Sequence, residues 1–72
     1  MNFIDEEVIK MKYSGFWKTI AGTGYIKSNV NLEEVEKELV KIGREIVRFK
    51  HIWCDWIILK SDGTIAKKGF EG

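Results

Sequence analysis

Residues 31–49 carry the most restrictive pattern in the chain, a stripe of apolar side chains at helical spacing. Its members recur every three or four residues, which places them on one face of a helix. They are Leu32, Val35, Leu39, Ile42, Ile46 and Phe49. Asn31 can cap the first turn, and Glu34 stands where a capping box would need it. We therefore predict one long helix, whose apolar face must be covered by the rest of the chain.

A β-hairpin is predicted before this helix. Residues 8–13 alternate between apolar and polar side chains, and Ser14-Gly15 suits a two-residue turn. A second strand then runs from Phe16 to about Lys27. In this register Trp17 and Tyr25 share one face of the hairpin. Gly22 and Gly24 indicate a bulge or a close backbone approach within the second strand.

A second hairpin is predicted after the helix. Residues 51–60 form a nearly unbroken apolar run, typical of a central strand. Asp62-Gly63 favours a tight turn, and residues 65–70 form a last short strand. The order ββαββ predicts an α+β fold, in which the single helix packs on a mainly antiparallel four-stranded sheet.

Length and composition indicate one small domain, residues 1–72, with a thin core. A chain of this size buries only about 60% of its unfolded surface. Its 44% hydrophobic and 32% charged residues are typical of a soluble globular protein. Residues 1–6 are expected to be a loosely ordered lead-in. The acidic N-terminus does not resemble a signal peptide, and no apolar run is long enough to span a membrane, so we expect a cytoplasmic protein.

The sequence offers little for catalysis. His51 and Cys54 are the only histidine and cysteine, and residues three apart on a strand point to opposite faces. A structural zinc site needs four such ligands. Gly22-Thr23-Gly24 lacks the lysine and helix of a phosphate loop. We expect no enzymatic activity, no cofactor and no metal, with Cys54 acting as a small buried apolar group.

The last hairpin has large apolar side chains on both faces, whereas one helix can cover only one of them. Pairing about Asp62-Gly63 divides the hairpin into two sets. One face holds Ile52, Cys54, Trp56, Ile58 and Ile65, and the other holds Trp53, Asp55, Ile57, Leu59, Lys68 and Phe70. We therefore expect an exposed apolar patch, unless strand twist, the N-terminal segment or a different register hides it.

Such a patch predicts a small non-enzymatic binding or regulatory protein that docks on another protein through a sheet face or edge. A second copy of the chain is one candidate partner, because facing sheets would extend the thin core. The candidate interface residues are Trp53, Ile57, Leu59, Phe70, Trp17 and Tyr25.

The alternative function is binding of single-stranded nucleic acid, with aromatic rings for base stacking and cations for phosphates. Its candidate residues are Trp17, Tyr25, Lys10, Lys12, Lys27, and a basic ridge on the helix formed by Lys37, Lys41, Arg44 and Arg48. A net charge of only +1 argues against an affinity that depends on phosphate neutralisation. The ridge also suits a solvated helix face with Glu33–Lys37 and Lys41–Glu45 pairs.

Overall fold

A computed structural model describes residues 11–72, which form one sheet with a helix across it. The elements are β1 (Tyr13–Thr19), β2 (Gly22–Asn29), α1 (Leu32–Lys50), β3 (Cys54–Lys60) and β4 (Ile65–Glu71). All paired strands are antiparallel, in the order β2-β1-β3-β4. The predicted α+β fold with the order ββαββ is confirmed. The expected lead-in and the first half of the predicted first strand, residues 8–10 with Lys10, lie outside the described residues.

The helix prediction is confirmed nearly to the residue. The Asn31 side chain accepts hydrogen bonds from the backbone N–H groups of Glu33 and Glu34, at 3.0 and 3.3 Å. The Asn31 N–H itself donates to Asn29 Oδ1 at 2.8 Å. In a capping box the Glu34 side chain would be the acceptor of this N–H. At the other end His51 adopts the left-handed conformation and its N–H donates to the Val47 carbonyl, so α1 stops there.

The predicted register of the first hairpin is wrong. Ser14 and Gly15 lie inside β1, and the chain turns at Ile20-Ala21 instead, pairing Phe16 with Tyr25. Thr19 holds this turn, because its hydroxyl donates to the Gly22 carbonyl at 3.1 Å and accepts from the Ala21 N–H at 3.0 Å. As a result β1 presents its other face to the helix, and Trp17 packs against the core.

The second hairpin follows its predicted register except at the turn end. Trp56 pairs with Gly69 and Ile57 with Lys68, as expected from pairing about Asp62-Gly63. The register then shifts between Ile58 and Leu59, so Ile65 pairs with Leu59. Ile65 therefore lies on the face opposite Ile58, which corrects its predicted placement. The predicted strand at residues 51–60 begins only at Cys54, because His51 ends the helix and two residues separate it from β3.

Helix α1 covers one face of the sheet. Glycines let the helix approach the strands closely and make room for the tryptophan rings. Val35, Leu39, Trp56 and Ile58 form the buried cluster. A Cβ atom at Gly15 would lie 2.9 Å from both Leu39 Cδ1 and Val35 Cγ1. The glycine that suggested a turn is thus the place where the helix approaches β1. The last member of the predicted helical stripe, Phe49, lies beyond this contact and is exposed.

One cross-strand row on the helix side has an unusual composition, with two adjacent tryptophans flanked by two glycines. The row is Gly24, Trp17, Trp56 and Gly69. A side chain at Gly24 would collide with the Trp17 ring, and one at Gly69 with the Trp56 ring. Each indole therefore lies over the glycine of the neighbouring edge strand, which confirms the close approach expected at Gly24.

Gly43 gives the helix a second close approach to the sheet. It is buried, and a Cβ atom there would lie 2.7 Å from Glu71 Cγ and 3.7 Å from Cys54 Sγ. The Glu71 carboxylate accepts from Trp56 Nε1 at 3.5 Å and lies 3.7 Å from Arg44 Nε. The end of β4 is thereby tied to both the helix and the core.

Candidate functional site

The face of the sheet opposite the helix is the candidate site, and we call it the open face. The strand registers arrange its residues in three cross-strand rows. From β2 towards β4, these rows are Thr23-Lys18-Asp55-Phe70, then Tyr25-Phe16-Ile57-Lys68, then Ser14-Leu59-Ile65. Trp53 adjoins the first row through its contact with Phe70. No helix or strand within residues 11–72 covers this surface.

Large apolar side chains on the open face remain accessible. The exposed fraction is 74% for Tyr25, 61% for Phe70, 55% for Ile65, 41% for Trp53 and 38% for Phe16. Ile57 and Leu59 lie between them and are half-buried by their neighbours. The first two rows line an open groove of about 960 Å³. A contiguous apolar surface of this kind is typical of a binding site.

The aromatic rings form two pairs at opposite sides of the sheet. Phe16 and Tyr25 have ring centroids 6.3 Å apart with planes tilted by 33°. Trp53 and Phe70 are also 6.3 Å apart, and their planes are closer to parallel at 26°. Such contacts restrict the rings before any partner arrives, which lowers the entropy lost on binding.

Exposed lysines surround these apolar groups. Lys18 and Lys68 lie within the rows, and Lys27 follows two residues after Tyr25 on the same side of β2. Asp55 is the one acidic residue in the three rows and stands directly opposite Lys18. The open face therefore has a positive charge around an apolar centre.

The structure brings together most of the predicted interface residues. Trp53, Ile57, Leu59, Phe70 and Tyr25 all belong to the open face. Trp17 does not, because the first hairpin turns at Ile20-Ala21 and directs its ring towards the helix. Phe16 and Lys18, which the predicted register placed on the other face, take its place. The sequence signal that could have revealed this arrangement is Thr19, whose hydroxyl holds the turn at Ile20-Ala21.

The predicted nucleic-acid residues are divided between two sides of the domain. Tyr25 and Lys27 lie on the open face, whereas Trp17 lies beneath the helix. The exposed Lys12 precedes β1. The basic ridge of Lys37, Lys41, Arg44 and Arg48 is exposed on α1, across the sheet from the open face.

The ridge does not form the ion pairs expected from its spacing. Among residues 11–72 the ion pairs within 4.0 Å are Arg44–Glu71 and Lys67–Glu36, the latter at 2.7 Å. Neither Glu33–Lys37 nor Lys41–Glu45 reaches that distance. The acidic side chains nevertheless lie beside the basic ones, so the exposed surface of α1 has mixed charge.

Cys54 occupies the position predicted for it, as a buried apolar group. Its side chain is fully buried beneath Gly43, and its thiol lies 3.7 Å from the Asp55 carbonyl oxygen. Burial raises the pKa of the Cys54 thiol above its ordinary value, which makes the reactive thiolate scarce.

Within residues 11–72 no three side chains of histidine, cysteine, aspartate or glutamate come together as a metal site. Over the same residues, no helix combines the length and apolarity that a membrane crossing requires.

Comparisons with known proteins give no family for this chain. No protein-family model matches the sequence, and no curated protein or solved structure matches it at a significant level.

Proposed function

We propose that this chain is a small non-enzymatic binding protein that docks on another protein through the open face. The observation that carries this proposal is the row Tyr25-Phe16-Ile57, an apolar strip across three adjacent strands that nothing in residues 11–72 covers. Covering it would remove apolar surface from water, which is the main driving force of protein association.

The mixture of side chains supports a protein as the partner. Aromatic residues such as Phe16, Tyr25 and Trp53 are enriched at the centres of protein interfaces. The aliphatic residues Ile57, Leu59 and Ile65 occupy the other half of the surface, where they offer area for burial but no ring for base stacking.

Binding of single-stranded nucleic acid is the second candidate function. The observation that favours it is the presence of exposed aromatic pairs beside Lys18, Lys27 and Lys68. The aliphatic half of the face makes it less favoured, because Ile57, Leu59 and Ile65 offer no ring for base stacking.

Site-specific photo-crosslinking in the cells that encode the protein tests the proposal. A photoreactive amino acid replaces Tyr25 on the open face, and a matched control variant carries it at Lys41 on the exposed surface of α1. We expect defined protein adducts from position 25 that are absent from position 41. Adducts to a second copy would have twice the mass of the chain.

Two controls complete the experiment. Adding Ile57→Asp should abolish the adducts at position 25, because a charge would stand in the apolar strip. Adducts that are the same from both positions, or that contain nucleic acid in place of protein, would contradict the proposal. Quenching of tryptophan fluorescence by single-stranded oligonucleotides at low salt would support the second candidate.

A further inference from the structure

We infer that the partner of the open face is an acidic protein surface, one that places carboxylates beside apolar side chains; this inference rests on the proposed function. The argument depends on charge complementarity. Lys18, Lys27 and Lys68 are exposed on the open face, against a single acidic residue, Asp55. A partner that buries the apolar strip must bring its own groups close to these ammonium groups.

The lysines have no ion-pair partners within the described part of the chain. The two ion pairs of residues 11–72 involve Arg44 and Lys67, both on the helix side of the sheet. Lys18 has Asp55 as its cross-strand neighbour, but their charged atoms do not come within 4.0 Å. As far as residues 11–72 are concerned, the three ammonium groups are thus available to carboxylates of a partner, which would offset the cost of losing water.

The registers also fix the spacing that a complementary surface needs. Lys18 in β1 and Lys68 in β4 are two strands apart and lie in adjacent rows. From the ordinary strand spacing and rise, their Cα atoms are about 12 Å apart. Asp55 and Ile57 of β3 both lie between them. The partner should therefore carry an apolar group that meets Ile57, flanked by carboxylates that meet the two lysines. Such an arrangement suits an acidic segment laid across the strands.

The same charges disfavour a second copy as the occupant. Two open faces brought together would bury six lysines, from Lys18, Lys27 and Lys68 of each chain, against two aspartates. Like charges brought together at an interface repel each other and weaken association. The partner that fits is therefore a different, acidic protein.

Selection from a displayed library of random linear peptides tests this inference on the full chain. We expect the selected peptides to combine aspartate or glutamate with aromatic and aliphatic residues, and their binding to weaken as salt is added. The double variant Lys18→Glu/Lys68→Glu should reduce binding about tenfold or more, because it replaces attraction with repulsion. The matched control is Lys37→Glu/Lys41→Glu, which changes net charge equally on the helix surface and should leave binding unchanged.

The outcomes separate this inference from the function on which it rests. Asp55→Asn should strengthen binding about threefold, since it removes the one repulsive carboxylate. Selected peptides that lack acidic residues but still require Ile57 would overturn the inference and leave protein docking intact. Peptides that do not depend on the open face, or no selected peptides at all, would overturn both. A preference for single-stranded oligonucleotides over every peptide would also overturn both.

Discussion

The two faces of the sheet are made by the same four strands but are packed in opposite ways. On the helix side, large side chains have glycines as cross-strand neighbours, so that Trp17 lies over Gly24 and Trp56 over Gly69. On the open face, large side chains stand next to one another, and most stay partly exposed. The comparison shows that close packing in a small domain requires small residues as well as large ones. An apolar face without such fitting is suited to contact with something else.

Neighbouring residues of β3 show the difference most directly. Ile58 is fully buried under α1, whereas Ile57 is only half-buried on the open face. Both residues are isoleucines of the same strand. Any difference between their contributions to the free energy of unfolding therefore reflects how tightly each face of the sheet is packed.

The largest effect is expected from truncating the buried member of this pair. Ile58→Ala should lower the free energy of unfolding by about 3 kcal/mol, because it leaves a cavity beneath the helix. Ile57→Ala should cost about 1 kcal/mol or less in the same urea titration. Equal losses would mean that the open face is packed as tightly as the core.

A smaller loss of stability is expected from adding one methyl group on the helix side of the sheet. Gly69→Ala should destabilise the protein by about 1–3 kcal/mol, because the new Cβ atom forces the Trp56 ring to move. The fluorescence of the folded protein should change as well. The control is Lys68→Ala, one residue earlier and on the open face. An unchanged stability for Gly69→Ala would show that the indole is not confined there.

Removing the helix cap is expected to have an effect of about 1 kcal/mol. Asn31→Ala deprives the N–H groups of Glu33 and Glu34 of their acceptor. Asn31→Asp keeps an acceptor oxygen and should retain most of the stability. Thermal unfolding of the three proteins measures the difference. If the alanine and aspartate variants have the same melting temperature, the cap does not hold α1 on its face of the sheet.

The smallest change in stability is expected from ionisation of Cys54 at high pH. Burial raises the thiol pKa in the folded state above its ordinary value of 9.0. This contribution to stability is therefore fully present below pH 9.0 and is lost as the pH rises through the folded pKa. Above pH 9.0 the wild type should lose more stability than Cys54→Ala in parallel urea titrations. Parallel curves would contradict the burial of the thiol.

A labelling experiment extends this test to both faces. The Cys54 thiol should react with a thiol reagent on the order of a hundredfold more slowly than a cysteine placed at Ile57 in a Cys54→Ala background. Comparable labelling rates would contradict the claim that the helix covers the face of Cys54 and leaves the face of Ile57 accessible.

The fold could be predicted from the sequence wherever one local signal dominated. The helix followed from its apolar period and its cap, and the second hairpin from Asp62-Gly63. In that turn Asp62 Oδ1 accepts from the Thr64 N–H and hydroxyl, at 2.9 and 2.6 Å. The first hairpin could not be predicted correctly because Ser14-Gly15 resembles a turn. Its glycine serves a tertiary contact with Leu39, which only the folded chain reveals.

The candidate site was predicted only in part for the same reason. The surplus of apolar residues in the last hairpin identified the half of the open face that includes Ile57 and Leu59. The other half depended on the first turn, so Trp17 was predicted in place of Phe16. Ile65 was misplaced because the register shift next to Leu59 leaves no clear trace in local sequence.

Solvent accessibility measured by NMR tests the central claim most directly. A soluble paramagnetic agent is added to methyl-labelled protein, and relaxation is compared for Ile57, Leu59 and Ile65 against Ile58 and Leu39. We predict strong relaxation of the first three methyl groups and weak relaxation of the last two, because only one face is covered. Equal protection of both groups would show that the open face is already occupied and would contradict its role as a docking surface.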